Sequence, residues 1–133
     1  MIVYLDTSAA FKLLAAEAES EPLAAALTAL DPADVLLSSR LLFTELHCAA
    51  QRRRSVWDVT AVNAVLEMIT LADVTREDLD RAATSGWGLR SADAIHLATA
   101  LRMQSEVLAA YDRELCAAGE SAGLRLLRPG ATA

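Results

Sequence analysis

The sequence predicts an α/β fold, a three-layer α/β/α sandwich with a mainly parallel central sheet, and three observations predict it. Short apolar runs alternate with longer segments of helical periodicity, the pattern of parallel strands joined by crossover helices. Two of these runs stop abruptly at an acid, Asp6 and Asp112, and ligands of such sheets bind beyond the carboxyl ends of strands. The chain has 133 residues, 54% of them hydrophobic, enough to bury one core.

Ile2-Val3-Tyr4-Leu5 is β-branched and aromatic, hence a strand, and Ser8 is placed to cap a helix through Leu14. A second helix has Pro22 near its first turn and Leu23, Leu27 and Leu30 on one stripe, and Asp31-Pro32 ends it. Val35 to Ser38 forms the next strand, and Ser39 caps a helix from Arg40 to about Arg54. A helix over roughly Val56 to Ile69 leads to a strand at Leu71 to Val74. Thr75 and Asp78 match a capping box, with Asp in place of Glu, and open a helix to about Ser85. Gly86-Trp87-Gly88 breaks the chain, and Ser91 is placed to cap a helix from Ala92 to Met103. Glu106 to Tyr111 is a strand, a short helix runs to about Ala118, and Leu124 to Leu127 is the last strand. No repeat, linker or shift in composition divides residues 1–133, so one domain is expected, with a loose tail over 129–133.

Composition excludes several classes. A hydrophobic fraction this high excludes a disordered chain, and two cysteines, Cys48 and Cys116, are too few for a disulfide-stapled miniprotein. Both are expected as reduced, buried thiols. No apolar run reaches the ~18 residues needed to cross a bilayer. Nothing ahead of Ile2 resembles a signal peptide. A cytoplasmic location with no membrane partner is therefore expected. The net charge of −6 argues against a protein that coats nucleic acid by bulk electrostatics. It leaves room for an enzyme whose acids gather metal ions, because the metal then supplies positive charge.

Four acids carry the functional argument. Asp6 and Asp112 close strands, where a turn or a helix cap is the plain alternative. Glu45 shares a helix face with Leu42, Leu46 and Ala49, and Asp93 shares one with His96, Leu97 and Ala100. A carboxylate on a core-facing stripe must be paired, protonated or bound to a cation. Packing over one sheet brings all four together, and like charges so close repel. A divalent cation resolves this, and an all-carboxylate set suits Mg²⁺ or Mn²⁺. Such a site can activate water and clamp a phosphodiester.

The segments around these acids resemble those of a known family. Ile2-Val3-Tyr4-Leu5-Asp6-Thr7-Ser8-Ala9 is similar to the first motif of PIN domains, and Phe43-Thr44-Glu45-Leu46 fits the second. Ser91-Ala92-Asp93-Ala94-Ile95-His96-Leu97-Ala98-Thr99-Ala100 resembles the third, and Tyr111-Asp112-Arg113-Glu114-Leu115 the fourth. Nearly the whole chain is covered, and its size matches the VapC toxins of bacterial toxin–antitoxin pairs. The resemblance implies a Mg²⁺-dependent ribonuclease, with Mn²⁺ able to substitute, masked by a VapB-like antitoxin. It implies metal ligation by Asp6, Glu45, Asp93 and Asp112, with Asp112 acting directly or through water, and positioning of phosphate or ligand by Thr7 or Ser8. An acidic pocket of this kind also admits a partner's arginine, whose planar fork bridges two carboxylates. A homodimer is expected from both the apolar composition and the resemblance.

Smaller signals have two readings each. Arg52-Arg53-Arg54 is a solvated helix end or a phosphate contact. Arg90 and Arg113 flank two of the acids and either pair with them or meet phosphate. His96 is a packed, hydrogen-bonded ring or a supporting group of the site. Trp57 and Trp87 belong to the core or a partner before they stack on bases. Rival functions fit less well. A receiver domain wants adjacent acids after the first strand and a late Lys, whereas Asp6 precedes Thr7 and the only Lys is Lys12. An aspartyl-phosphate phosphatase wants Asp-x-Asp, and position 8 is Ser8. A non-catalytic binding module, with the acids as caps and ion-pair partners, would gain no stability from divalent metal.

Overall fold

Every strand of the sheet lies parallel to its neighbours. The computed structural model describes residues 1–53 and 57–132, in which β1 (Ile2–Leu5), β2 (Val35–Ser39), β3 (Thr70–Ala72), β4 (Val107–Ala109) and β5 (Arg125–Leu127) form one sheet in the order β3-β2-β1-β4-β5. Tyr4 pairs with Leu37 on one side and Leu108 on the other, so β1 is central. The chain steps from β1 through β2 to β3, then crosses back to β4 on the far side of β1. The strand order therefore reverses between β1 and β4, where an open α/β sheet forms a crevice at its carboxyl edge.

Strand residues alternate between two cores, as a strand buried on both faces must. Val3, Leu5, Val107 and Ala109 enter one core, and Tyr4, Leu108 and Ala110 the other. The first core is covered by α1 (Thr7–Leu14), α2 (Ser20–Thr28), α3 (Arg40–Arg52) and α4 (Val59–Glu67), through residues such as Leu23, Leu42, Leu46 and Val62. The second is covered by α6 (Ser91–Arg102) and α7 (Arg113–Ser121), through Leu97, Ala100, Leu115 and Cys116. The remaining helix, α5 (Arg76–Thr84), packs on α6. A Cβ at Gly119 would lie 2.7 Å from Leu108 Cδ2, so its absence lets α7 sit close on β4.

Several boundaries differ from the sequence expectation for identifiable reasons. Asp6, not Ser8, caps α1: its backbone is extended and its carboxylate accepts from the Ser8 N–H. Arg90 occupies the cap position of α6 without a side-chain bond, which makes Ser91 the first helical residue. Asp58 caps α4, so that helix starts at Val59. Ser39 and the Thr75–Asp78 capping box behave as expected. Cys116 is buried, but Cys48 falls on the outer face of α3 and is exposed. Trp57 is buried in the first core and Trp87 packs against the second. Arg54 and Val56 lie outside the described residues. In the C-terminal segment the Tyr111 hydroxyl donates to the Pro129 carbonyl at 2.8 Å.

Candidate active site

The crevice between β1 and β4 is built around Asp6. Its backbone N–H donates to the Ala109 carbonyl at 3.0 Å, which continues the parallel ladder one residue past β1. This pins an acid beside the end of β4. The side chain is buried; Oδ2 accepts from the Ser8 N–H and, at 2.7 Å, from the Ser8 hydroxyl. The same hydroxyl oxygen accepts from the N–H groups of Tyr111 at 2.9 Å and Asp112 at 3.3 Å. Ser8 thus ties Asp6 to the loop that carries Asp112. Asp112 caps α7 through Oδ1, which accepts from the Leu115 N–H.

Oδ1 of Asp6 is buried and has no hydrogen-bond partner among the described residues. An unsatisfied carboxylate oxygen is costly in a protein interior, and this one belongs to an acid in a row of acids. Asp93, half-buried on α6, has its pKa pushed up to about 6 by burial and then by the charges of Asp6 and Asp112, with a smaller push from Glu45. His96 opposes this. Asp93 therefore senses the other three acids, and the structure brings all four to one edge of the sheet.

Glu45 reaches this edge from α3, on the opposite face of the sheet from α6. Its Oε1 accepts from the Thr7 hydroxyl at 2.7 Å and from His96 Nε2 at 2.6 Å. Because a carboxylate oxygen only accepts here, Nε2 carries a proton. The Thr7 oxygen lies 2.9 Å from the same nitrogen, and Tyr4 Oη lies 2.7 Å from Nδ1. His96 is fully buried. Burial opposes its charge, but the Glu45 bond and the charges of Asp6, Glu45 and Asp93 raise its pKa above the ordinary value. Burial raises the pKa of the Tyr4 phenol as well, which keeps it protonated.

The other sequence candidates are accounted for individually. Thr7 and Ser8 spend their hydroxyls on Glu45 and Asp6. Arg90 and Arg113 are exposed at the starts of α6 and α7, and neither makes an ion pair among the described residues. Sequence reasoning missed Tyr4, which reads as an ordinary strand residue. Its hydroxyl was the available signal, since a buried Tyr oxygen needs a partner. Among the described residues, no three Asp, Glu, His or Cys side chains already stand as a closed chelating group. The donor set is nonetheless all oxygen, and the partnerless Oδ1 of Asp6 fits a hard divalent cation.

This is an open parallel α/β fold with carboxylates gathered at the carboxyl edge of its sheet. Residues 3–121 match the PIN domain family. Ribonuclease VapC45 of Mycobacterium tuberculosis strain CDC 1551 / Oshkosh is 34% identical, with 94% of each chain covered. Ribonuclease VapC35 of the same strain is 36% identical over 97% of this chain and 98% of its own. Among solved structures, M. tuberculosis VapC20, a sarcin-ricin loop cleaving toxin, superposes with a TM-score of 0.72 at 17% identity, over 96% of this chain and 99% of that one. VapBC2 from Rickettsia felis, bound to a fragment of its promoter, gives 0.71 at 12% identity, over 96% and 98%. The chain belongs to the PIN-domain family, in its VapC branch.

Proposed function

We propose that this protein is a Mg²⁺-dependent endoribonuclease, the toxin of a VapBC-type pair, whose site is Asp6, Glu45, Asp93 and Asp112. The observation that carries this reading is the buried, partnerless Oδ1 of Asp6 among acids that raise the pKa of Asp93. Carboxylates alone repel a phosphodiester, so a cation has to stand between them and RNA. These four residues would hold it, with water completing its shell as Mg²⁺ prefers. When bound, such an ion lowers the pKa of a water nucleophile and neutralises charge on the phosphate. Mn²⁺ suits the same oxygen donors.

The chain's own groups do the rest. Ser8 and Thr7 orient Asp6 and Glu45, so their positioning role is exerted through the carboxylates. In this reading Arg90 and Arg113, exposed at the start of α6, which bears Asp93, and of α7, which follows Asp112, meet the RNA backbone. A cation at a helix start opposes the macrodipole, which an anionic ligand would offset. A VapB-like antitoxin is the inhibiting partner, since VapBC assemblies are among the solved structures of this fold. Residues 1–133 act as a homodimer in this reading. Among the described residues no helix is long and apolar enough to cross a membrane.

Sequencing RNA ends after controlled expression tests activity and substrate together. New ends at defined positions are expected with the natural chain and none with Asp6→Asn. Identical end profiles for both proteins would refute the assignment.

A further inference from the structure

The geometry points to His96 as a positioning residue that sets the gap between Glu45 and Asp93. The inference rests on the metal-site reading above and deepens it. Glu45 and Asp93 come from helices on opposite faces of the sheet, α3 and α6, whose described core residues fall in different hydrophobic clusters. At the carboxyl edge the Nε2–H of His96, a residue of the helix that carries Asp93, donates to Glu45 Oε1 at 2.6 Å. His96 lies three residues beyond Asp93 on the same face of α6, so a tie from His96 to Glu45 holds the backbone that carries Asp93 at a set distance from α3.

The ring itself is held from two further directions. Tyr4, from the central strand, meets Nδ1 at 2.7 Å, and Thr7, from α1, meets Nε2 at 2.9 Å. A fully buried ring with both nitrogens engaged cannot swing to follow a drifting carboxylate. Leu97 and Ala100 show that this part of α6 is apolar core, where a polar ring is costly unless its bonds are used. The use is directional. One oxygen of Glu45 takes both the Thr7 and the His96 bonds. A small cation with near-octahedral demands binds only if its carboxylates sit at set separations. His96 supplies that separation across the sheet.

The test is Mn²⁺ uptake by the full-length protein without RNA, followed by titration calorimetry or the spin signal of free Mn²⁺. Two polar replacements separate the contacts. His96→Gln keeps an N–H near the Nε2 position for Glu45, whereas His96→Asn is too short and keeps only the Tyr4 side. His96→Asn is expected to weaken Mn²⁺ binding by about tenfold or more, and His96→Gln by no more than about threefold, the scale on which supporting groups tune a metal site. In a Glu45→Gln background the two replacements should differ little, because the bridged carboxylate is gone. Equal affinities for the Asn and Gln variants, whether both natural or both weak, would overturn the inference. So would an Asn defect of the same size in the Glu45→Gln background, since His96 would then act by packing alone. A natural protein that takes up no Mn²⁺ would overturn the metal site and this inference with it.

Discussion

The Ser8 hydroxyl donates to Oδ2 of Asp6 at 2.7 Å, while Oδ1 of the same carboxylate stays buried and unpaired. One oxygen is fixed by the protein, and in the proposed site the other is a metal ligand. Replacing Asp6 or Asp93 with Asn should therefore abolish Mg²⁺- or Mn²⁺-dependent cleavage while the fold persists. Circular dichroism and gel assays on the purified variants check both halves. Asp93→Asn should also raise the melting temperature of the metal-free protein, because it removes one of the repelling charges.

That gain should depend on pH in a defined direction. Asp93 in the folded protein titrates near 6, above its ordinary 3.8, owing to burial and then to Asp6 and Asp112. A carboxyl raised on folding favours the folded state fully below 3.8, and the benefit is lost as pH rises through about 6. Melting of the metal-free protein is thus expected to show Asp93→Asn ahead of the natural chain at pH 7.5. The lead should shrink through pH 6 and vanish near pH 3.8. A lead that is constant with pH would mean that Asp93 does not feel its neighbours.

The fold and the acids were legible in the sequence to different depths. Asp6 and Asp112 stood out because apolar runs stop at them, and Glu45 and Asp93 because each interrupts an apolar helical face. Periodicity carries that information locally. Strand order is not local, so periodicity does not place β4 beside β1; the strand-end acids and the PIN resemblance lead to the site instead. The Tyr4–His96 contact spans 92 positions, and a tyrosine inside a strand looks apolar until its hydroxyl is located. Asp78 was legible as half of a capping box. Its bonds to Thr99 at 2.9 Å and to Arg102 at 2.7 Å, which clamp α5 to α6, were not. Ser8 and Ser91 misled for a simpler reason, because each is a good cap residue placed one or two positions inside its helix.

Arg90 and Arg113 are expected to bind RNA phosphates rather than the neighbouring acids. In an Asp6→Asn background that does not cut, each Arg→Ala change should weaken RNA binding at low salt. It should also reduce the dependence of log affinity on log salt by about 0.7. Fluorescence anisotropy across a salt series measures both. An unchanged salt slope in the double Ala variant would remove these residues from the RNA path.

Assembly offers a separate check. Val59 and Met68 are both 55% exposed, and Leu79 is 47% exposed, so the helical layers keep apolar surface in contact with solvent. Light scattering should report a homodimer at micromolar concentration. A strict monomer over that range would refute the dimer without touching the active site.

The most direct measurement is RNA cleavage by the purified, chelator-treated protein as Mg²⁺ is returned. Cleavage should be absent without metal, should rise to saturation with Mg²⁺ or Mn²⁺, and should stay absent at every metal concentration in Asp6→Asn. Cleavage that persists undiminished in excess chelator, or that Asp6→Asn retains, would contradict a carboxylate-held metal as the centre of this protein's chemistry.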